Sequence, residues 1–255
     1  MTSGQQKVAL VTGGARRIGR AIALGLAQSG WDIAVHYGNS WQEAEATVAA
    51  IQALGRQAVA VQCDLADAGA TSLLLERAQT MLGAISCLVN NASIFEFDDA
   101  ASFSPTLLER HMRINLSAPI VLARALHASV PAGSDAVVIN LLDQKLHNLN
   151  PDFMSYTLSK AALQCATTML AQALAPTVRV VGIAPGITLV SGDQSDEGFA
   201  RAHARTPLGR SSTAEDIASA VCFVAASKSI TGTTLMVDGG QHLLPLSRDV
   251  MFLTT

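Results

Sequence analysis

Tyr156 and Lys160 stand four residues apart, and a lone carboxylate, Asp143, precedes the tyrosine by thirteen positions. Residues four apart share one face of a helix, so a helix opened by Pro151 sends phenol and ammonium out side by side. A phenol titrates at about 10 in water, and a neighbouring positive charge favours phenolate, bringing the group toward acid/base work at neutral pH. The three residues outline a proton-transfer site. The competing reading is an exposed tyrosine and a solvated lysine on an amphipathic helix, since YxxxK alone is a weak pattern.

The elements that would position these groups can be read along the chain. Lys7 to Thr12 form a short apolar run, followed by Gly13, Gly14, Ala15, Arg16, Arg17, Ile18 and Gly19, then by Ala21, Ile22, Leu24, Gly25 and Leu26 at helical spacing. Strand, glycine turn and helix start lay backbone N–H groups and a helix's positive end against a phosphate; a βα turn without a ligand is the alternative. Strand-like runs fall near 7–12, 32–37, 57–62, 85–90, 135–141, 177–183 and 233–237. Helical periodicity falls near 17–29, 41–54, 69–82, 105–130, 151–175 and 213–226. About seven strands with intervening helices predict an α/β fold, a doubly wound parallel sheet with helices on both faces and a ligand crevice at the strand C-terminal ends. Residues 1–255 read as one domain with a C-terminal tail at 241–255. Ser191 to Arg210, with Gly192, Asp193, Ser195, Asp196 and Gly198, is polar and turn-rich, and reads as either a substrate lid or a surface loop.

Composition narrows the function classes. At 255 residues and 49% hydrophobic content the chain can bury a full core. Net charge is −3 with no basic block, which argues against nucleic acid. No apolar run is long enough for a membrane span, and the opening MTSGQQK lacks a signal peptide's apolar region, so a cytoplasmic enzyme is expected. Cys63, Cys87, Cys165 and Cys222 form no CxxC pair and sit in apolar or helical stretches, which predicts buried thiols, no disulfide and no metal.

TGGARRIG, then Asn90-Asn91-Ala92-Ser93, Asn115, YxxxK and Pro185-Gly186 occur in an order that resembles the short-chain dehydrogenases/reductases, from Lys7 to about His242. The resemblance implies a Rossmann-type domain carrying nicotinamide cofactor and substrate together. On it, cofactor contacts fall to Gly13, Arg17, Ile18 and Gly19, to His36, Tyr37, Asn39 and Ser40, to Asp64 and Leu65, to Asn91, Ala92 and Ser93, to Tyr156 and Lys160, and to Pro185 and Gly186. Lys160 would hold the nicotinamide ribose and lower the tyrosine pKa, and Asn115 would support a water leading to Lys160. Asp64 would contact the adenine amino group; a helix N-cap is its other reading.

An NAD site ends its second strand with an acid that would repel a 2′-phosphate. Here that segment is His36-Tyr37-Gly38-Asn39-Ser40, without an acid, and Arg17 stands where the family more often has glycine, so NADPH/NADP+ is the expected cofactor. Most members have serine where this chain has Asp143. Hydride addition to a ketone builds negative charge on oxygen, which an ionised carboxylate opposes, whereas addition to C=N makes a nitrogen that needs a proton.

Asp143, Arg17, His36 and Ile94-Phe95 after NNAS together resemble the pteridine reductases. That implies NADPH-dependent reduction of dihydrobiopterin, dihydromonapterin or dihydrofolate, with Phe95 stacked on the pterin, Arg17 and Ser93 at its polar edge, and an Asp143–Tyr156 relay. Asn39 replaces a frequent arginine, putting more of the phosphate contact on Arg17, His36 and Ser40. A homotetramer is implied, in which the apolar tail reaches a neighbour and Arg248 completes its pocket; packing on its own subunit is the alternative. Reduction of another imine or carbonyl, and a non-catalytic NADP(H)-binding regulator, stay open.

Overall fold

Val8 and Leu10 of the first strand, β1 (Val8–Val11), enter one hydrophobic cluster, while Ala9 and Val11 enter another on the opposite face. The two-residue period of a strand thus divides the protein into two cores separated by one sheet. The computed structural model describes residues 6–190 and 196–253. Its other strands are β2 (Asp32–Tyr37), β3 (Ala58–Gln62), β4 (Cys87–Asn90), β5 (Ala136–Leu141), β6 (Val178–Pro185) and β7 (Thr234–Val237). All are parallel, in the order β3-β2-β1-β4-β5-β6-β7.

Parallel neighbours need crossovers, and helices supply them: α1 (Arg17–Gln28), α2 (Trp41–Ala53), α3 (Ala68–Leu82), α4 (Pro105–His111), α5 (Ala118–Ser129), α6 (Met154–Ala173), α7 (Asp196–Ala204), α8 (Ala214–Ala226) and the single turn α9 (Val250–Leu253). Ile22 and Leu26 of α1 pack with Ile217, Val221 and Val224 of α8 on one face; Leu74, Leu75, Leu122 and Leu126 fill the other. Each such fully buried side chain contributes about 1.5–3 kcal/mol. After β1 the chain runs outward through β2 and β3, then returns to β4 and runs the other way. The crevice therefore opens where β1 and β4 end side by side.

Three boundaries differ from expectation, each for a local reason. The single helix expected over 105–130 is α4, a π-helical turn at Met112–Ser117, and α5. Pro119 lacks the N–H that a continuous α-helix needs, and the wide turn buries Asn115 completely. The helix expected from Pro151 begins at Met154, because Phe153 takes a left-handed backbone (φ 55) and the buried Asp98 accepts the Ser155 N–H at 2.9 Å together with the Ser155 hydroxyl. Within the polar stretch 191–210, residues 196–204 form α7 rather than a loop; Gly192, Asp193 and Ser195 lie outside the described residues.

Among the cysteines, Cys63 and Cys87 are buried, but Cys165 is exposed on α6, contrary to expectation. No described helix is long and apolar enough to cross a membrane.

Candidate active site

The glycine turn is fastened from two sides. Thr12 Oγ1 accepts the N–H groups of Asn91 and Ala92, both at 3.0 Å, and Asn91 Nδ2 donates to the Thr12 carbonyl at 2.9 Å. A side chain at Gly19 would lie 2.1 Å from the Gly13 carbonyl oxygen, so the turn closes only with glycine there. Arg17 takes a left-handed backbone (φ 54), which accounts for a position where glycine is more usual, and its Nη2 donates to the Val190 carbonyl at 2.9 Å. No side chain caps α1 and its first turn holds no acid, which leaves a helix N-terminus suited to an anion.

His36 requires a correction. It is buried, with Nδ1 accepting the Gly13 N–H at 3.0 Å and Nε2 bonded to the Cys63 carbonyl at 3.0 Å. Burial brings its imidazole down to about 4, so the ring is neutral and braces the glycine turn instead of facing a phosphate. Asp64 is not the cap of α3 either: its Oδ1 accepts the Ala66 N–H at 2.9 Å, and Asp67 caps the helix by accepting from Gly69 and Ala70. Leu65 is buried in one core, Tyr37 packs partly against the other, Asn39 is exposed, and Ser40 precedes α2 without a side-chain cap bond. At the far side, Gly186 donates to the Val237 carbonyl at 3.0 Å, just after Pro185 ends β6.

Asp143, Tyr156 and Lys160 meet on the wall of a cavity of about 240 Å³ that also includes Arg17, Ile18, Asn91, Ser93, Phe95, Pro185 and Gly186. The Tyr156 hydroxyl donates to Asp143 Oδ2 at 2.8 Å, while Asp143 Oδ1 accepts the Lys145 N–H at 2.8 Å. Lys160 Nζ donates to the Leu141 carbonyl at 2.7 Å and lies 5.8 Å from the Tyr156 ring centre. Lys160 is therefore near the ring, but the hydroxyl's own partner is a carboxylate. Burial, reinforced by the Asp143 charge, holds the phenol well above its ordinary range, which reverses the expectation that Lys160 lowers it. Burial also raises the Asp143 carboxyl and brings Lys160 down to about 8.

Asn115 Oδ1 accepts the Ile94 N–H at 3.0 Å, and its Nδ2 donates to the Ile94 carbonyl at 3.1 Å and to Ser159 Oγ at 3.0 Å. Its side chain thus joins the NNAS segment to the helix carrying Tyr156 and Lys160. Phe95 stacks on Phe153, with ring centres 4.1 Å apart at 17°, and meets Tyr156 edge-on at 4.7 Å. Phe153 is buried, whereas Phe95 is exposed and lines the cavity. Ser93 Oγ donates to the Ile94 carbonyl at 3.1 Å.

The tail returns to its own chain. Arg248 Nε lies 2.9 Å from both Asp152 carboxylate oxygens, so Arg248 is ion-paired within its own chain. Sequence reasoning passed over Lys145, Asp249, Val250 and Met251, which also line the cavity. Lys145 lies two residues after Asp143, a signal that was legible; the tail residues approach only through tertiary structure.

The uncapped start of α1, suited to a dinucleotide's phosphate, and a tyrosine hydrogen-bonded to a carboxylate on the cavity wall are an arrangement that nicotinamide-dependent oxidoreductases use. The chain belongs to the short chain dehydrogenase family, whose model matches residues 7–197. FolM alternative dihydrofolate reductase 1 from Brucella suis, solved with NADP, superposes with a TM-score of 0.91 at 42% identity over 96% of this chain and 98% of that one. An uncharacterised oxidoreductase of Methylorubrum extorquens is 34% identical over 94% of this chain and 99% of its own length. An L-rhamnose 1-dehydrogenase (NAD(P)(+)) of Sphingomonas sp. is 31% identical over 93% and 96%.

Proposed function

We propose that the protein is an NADPH-dependent reductase of an oxidised pterin, of dihydrobiopterin, dihydromonapterin or dihydrofolate type. The observation that carries this reading is the 2.8 Å bond from the Tyr156 hydroxyl to Asp143 Oδ2. A carboxylate beside a reacting ketone oxygen would oppose the charge developing there, whereas beside a C=N bond it can pass on the proton that nitrogen requires. Once Asp143 has given its proton to the ring nitrogen, the Tyr156 hydroxyl is the donor placed to replace it, and solvent returns a proton to the tyrosine. The raised carboxyl pKa suits Asp143 to carrying that proton.

NADP(H) fits the residues present. The uncapped start of α1 and the Arg17 guanidinium suit phosphates, and no acid follows β2 to repel a 2′-phosphate. When bound, NADPH supplies the hydride. Lys160 provides a cation beneath the tyrosine, and Asn115 fixes the NNAS segment against α6. The relative named as a dihydrofolate reductase supports this substrate class. The sugar dehydrogenase among the relatives supports a second reading, reduction of another small carbonyl or imine.

A cytoplasmic homotetramer completes the proposal, supported by apolar Leu158 and Met169 exposed on α6; light scattering on purified protein checks the assembly. The function is tested by NADPH consumption with dihydrobiopterin, dihydrofolate and a ketone panel in parallel. Pterin-dependent turnover with silent ketones is expected, and the converse overturns the pterin assignment.

A further inference from the structure

Lys145 is a nearly buried cation, 3% exposed, on the wall of the cavity. Its Nζ lies 3.1 Å from Asp249 Oδ2 and 5.3 Å from the Phe153 ring centre. Among the described residues, Asp249 supplies the one carboxylate within ion-pair distance of it. A cation held this far from water is costly unless paired, so the position of Asp249 matters to the whole pocket.

That position is fixed by a second, crossed pair. Arg248 Nη2 lies 2.8 Å from Asp152 Oδ1, and Asp152 Oδ2 accepts the Asp249 N–H at 2.6 Å. Phe252 then stacks over Phe153 with ring centres 6.1 Å apart at 18°. Two ion pairs and an aromatic contact thus dock residues 248–252 beside Asp143, which holds the Lys145 N–H through its Oδ1.

We propose that Lys145 and Asp249 determine the charge selectivity of the substrate pocket: paired, they present no net charge to the substrate and leave Asp143 to Tyr156. If the acid is removed, Lys145 faces the pocket as a net cation, draws in anionic substituents and competes for Asp143. If the base is removed, Asp249 faces the pocket as a net anion and repels them. The assignment rests on the reductase reading of this site, and on the pterin reading only for one of its probes.

The test uses Asp249→Asn and Lys145→Met, which nearly keep size and each remove one charge. Two probe pairs are compared with NADPH: a dihydropterin with a neutral 6-substituent against its 6-carboxylate, and a keto ester against its keto acid. The ratio of kcat/KM for the anionic over the neutral member should rise about tenfold in Asp249→Asn and fall about tenfold in Lys145→Met, each equivalent to about 1.4 kcal/mol. The exchanged pair, Lys145→Asp with Asp249→Lys, should return the ratio toward wild type.

Opposite signs separate charge selection from a merely structural role, in which both variants lose activity on all probes alike; equal or unchanged ratios overturn the proposal. Silent pterins with active keto substrates remove the pterin reading while the keto ratio still tests the pair. Failure of all four probes to react or to compete for the NADPH-loaded protein overturns the pocket assignment and the pair's role with it.

Discussion

Acidification should dismantle the glycine turn through His36. Its Nδ1 accepts the Gly13 N–H, so a proton arriving there must break that bond, and the buried ring holds its folded value at about 4 against an ordinary 6.5. The unfolded chain takes up this proton below about 6.5 while the native state does not until about 4, so stability is full above 6.5 and is lost as pH falls through that window. At about 1.4 kcal/mol per decade the whole window is worth about 3 kcal/mol, of which about 2 kcal/mol disappears between pH 7 and pH 5. Carboxylates contribute their own slope at the acid end, so the informative quantity is the difference from His36→Asn, which can still accept and donate but does not titrate.

Urea unfolding at several values from pH 7 to pH 5 should show the wild type losing about 2 kcal/mol more than the variant over that range. Parallel curves would refute the reasoning, as would an imidazole resonance titrating near 6.5 in the folded protein.

Tyr156→Phe should lower turnover by at least about a hundredfold, the usual scale for a positioned acid, while NADPH affinity measured by fluorescence stays close to wild type. Asp143→Ser restores the residue more usual in the family and should shift the ratio of pterin to ketone turnover toward ketones, as read in the same NADPH assay. Arg17→Gly should raise thermal stability by about 1 kcal/mol, because the left-handed backbone at φ 54 suits glycine, and should bring NADPH and NADH affinities together; calorimetry and titration check the two halves. Asn115→Ala leaves the Ile94 N–H and carbonyl without their side-chain partner and should cost about 2 kcal/mol in urea unfolding.

The sheet was legible in sequence because its signal is local. Runs such as Ala136–Leu141 are apolar throughout, as a strand buried on both faces requires, and the observed strand bounds stay close to those read from sequence. What escaped is what depends on partners far along the chain. Asp98 moves the start of α6 from 57 residues away, and nothing near Pro151 announces it. The ligand role of His36 follows from the family resemblance alone, and only the fold places Gly13 and Cys63 at its two nitrogens. Within 191–210, turn-forming residues outweighed the Glu197 and Arg201 spacing that accompanies α7. Asp143 was legible from type and position, yet its effect on the phenol depended on burial that sequence did not display.

The cavity draws its walls from opposite regions of the chain, Arg17 and Ile18 on one side and residues 249–251 on the other. Synthesis proceeds from the N-terminus, so domains begin to organise before their last segments exist. Here the glycine turn, the first five strands and the Tyr156 helix can all be made before β7 and the late residues that line the pocket. A ribosome-bound chain lacking residues 249–251 has Lys145 without its counter-ion and Phe153 without Phe252 above it. Completion of the pocket is thus tied to emergence of this late segment, which makes translation stalled before it a source of partly built sites rather than of slow enzyme.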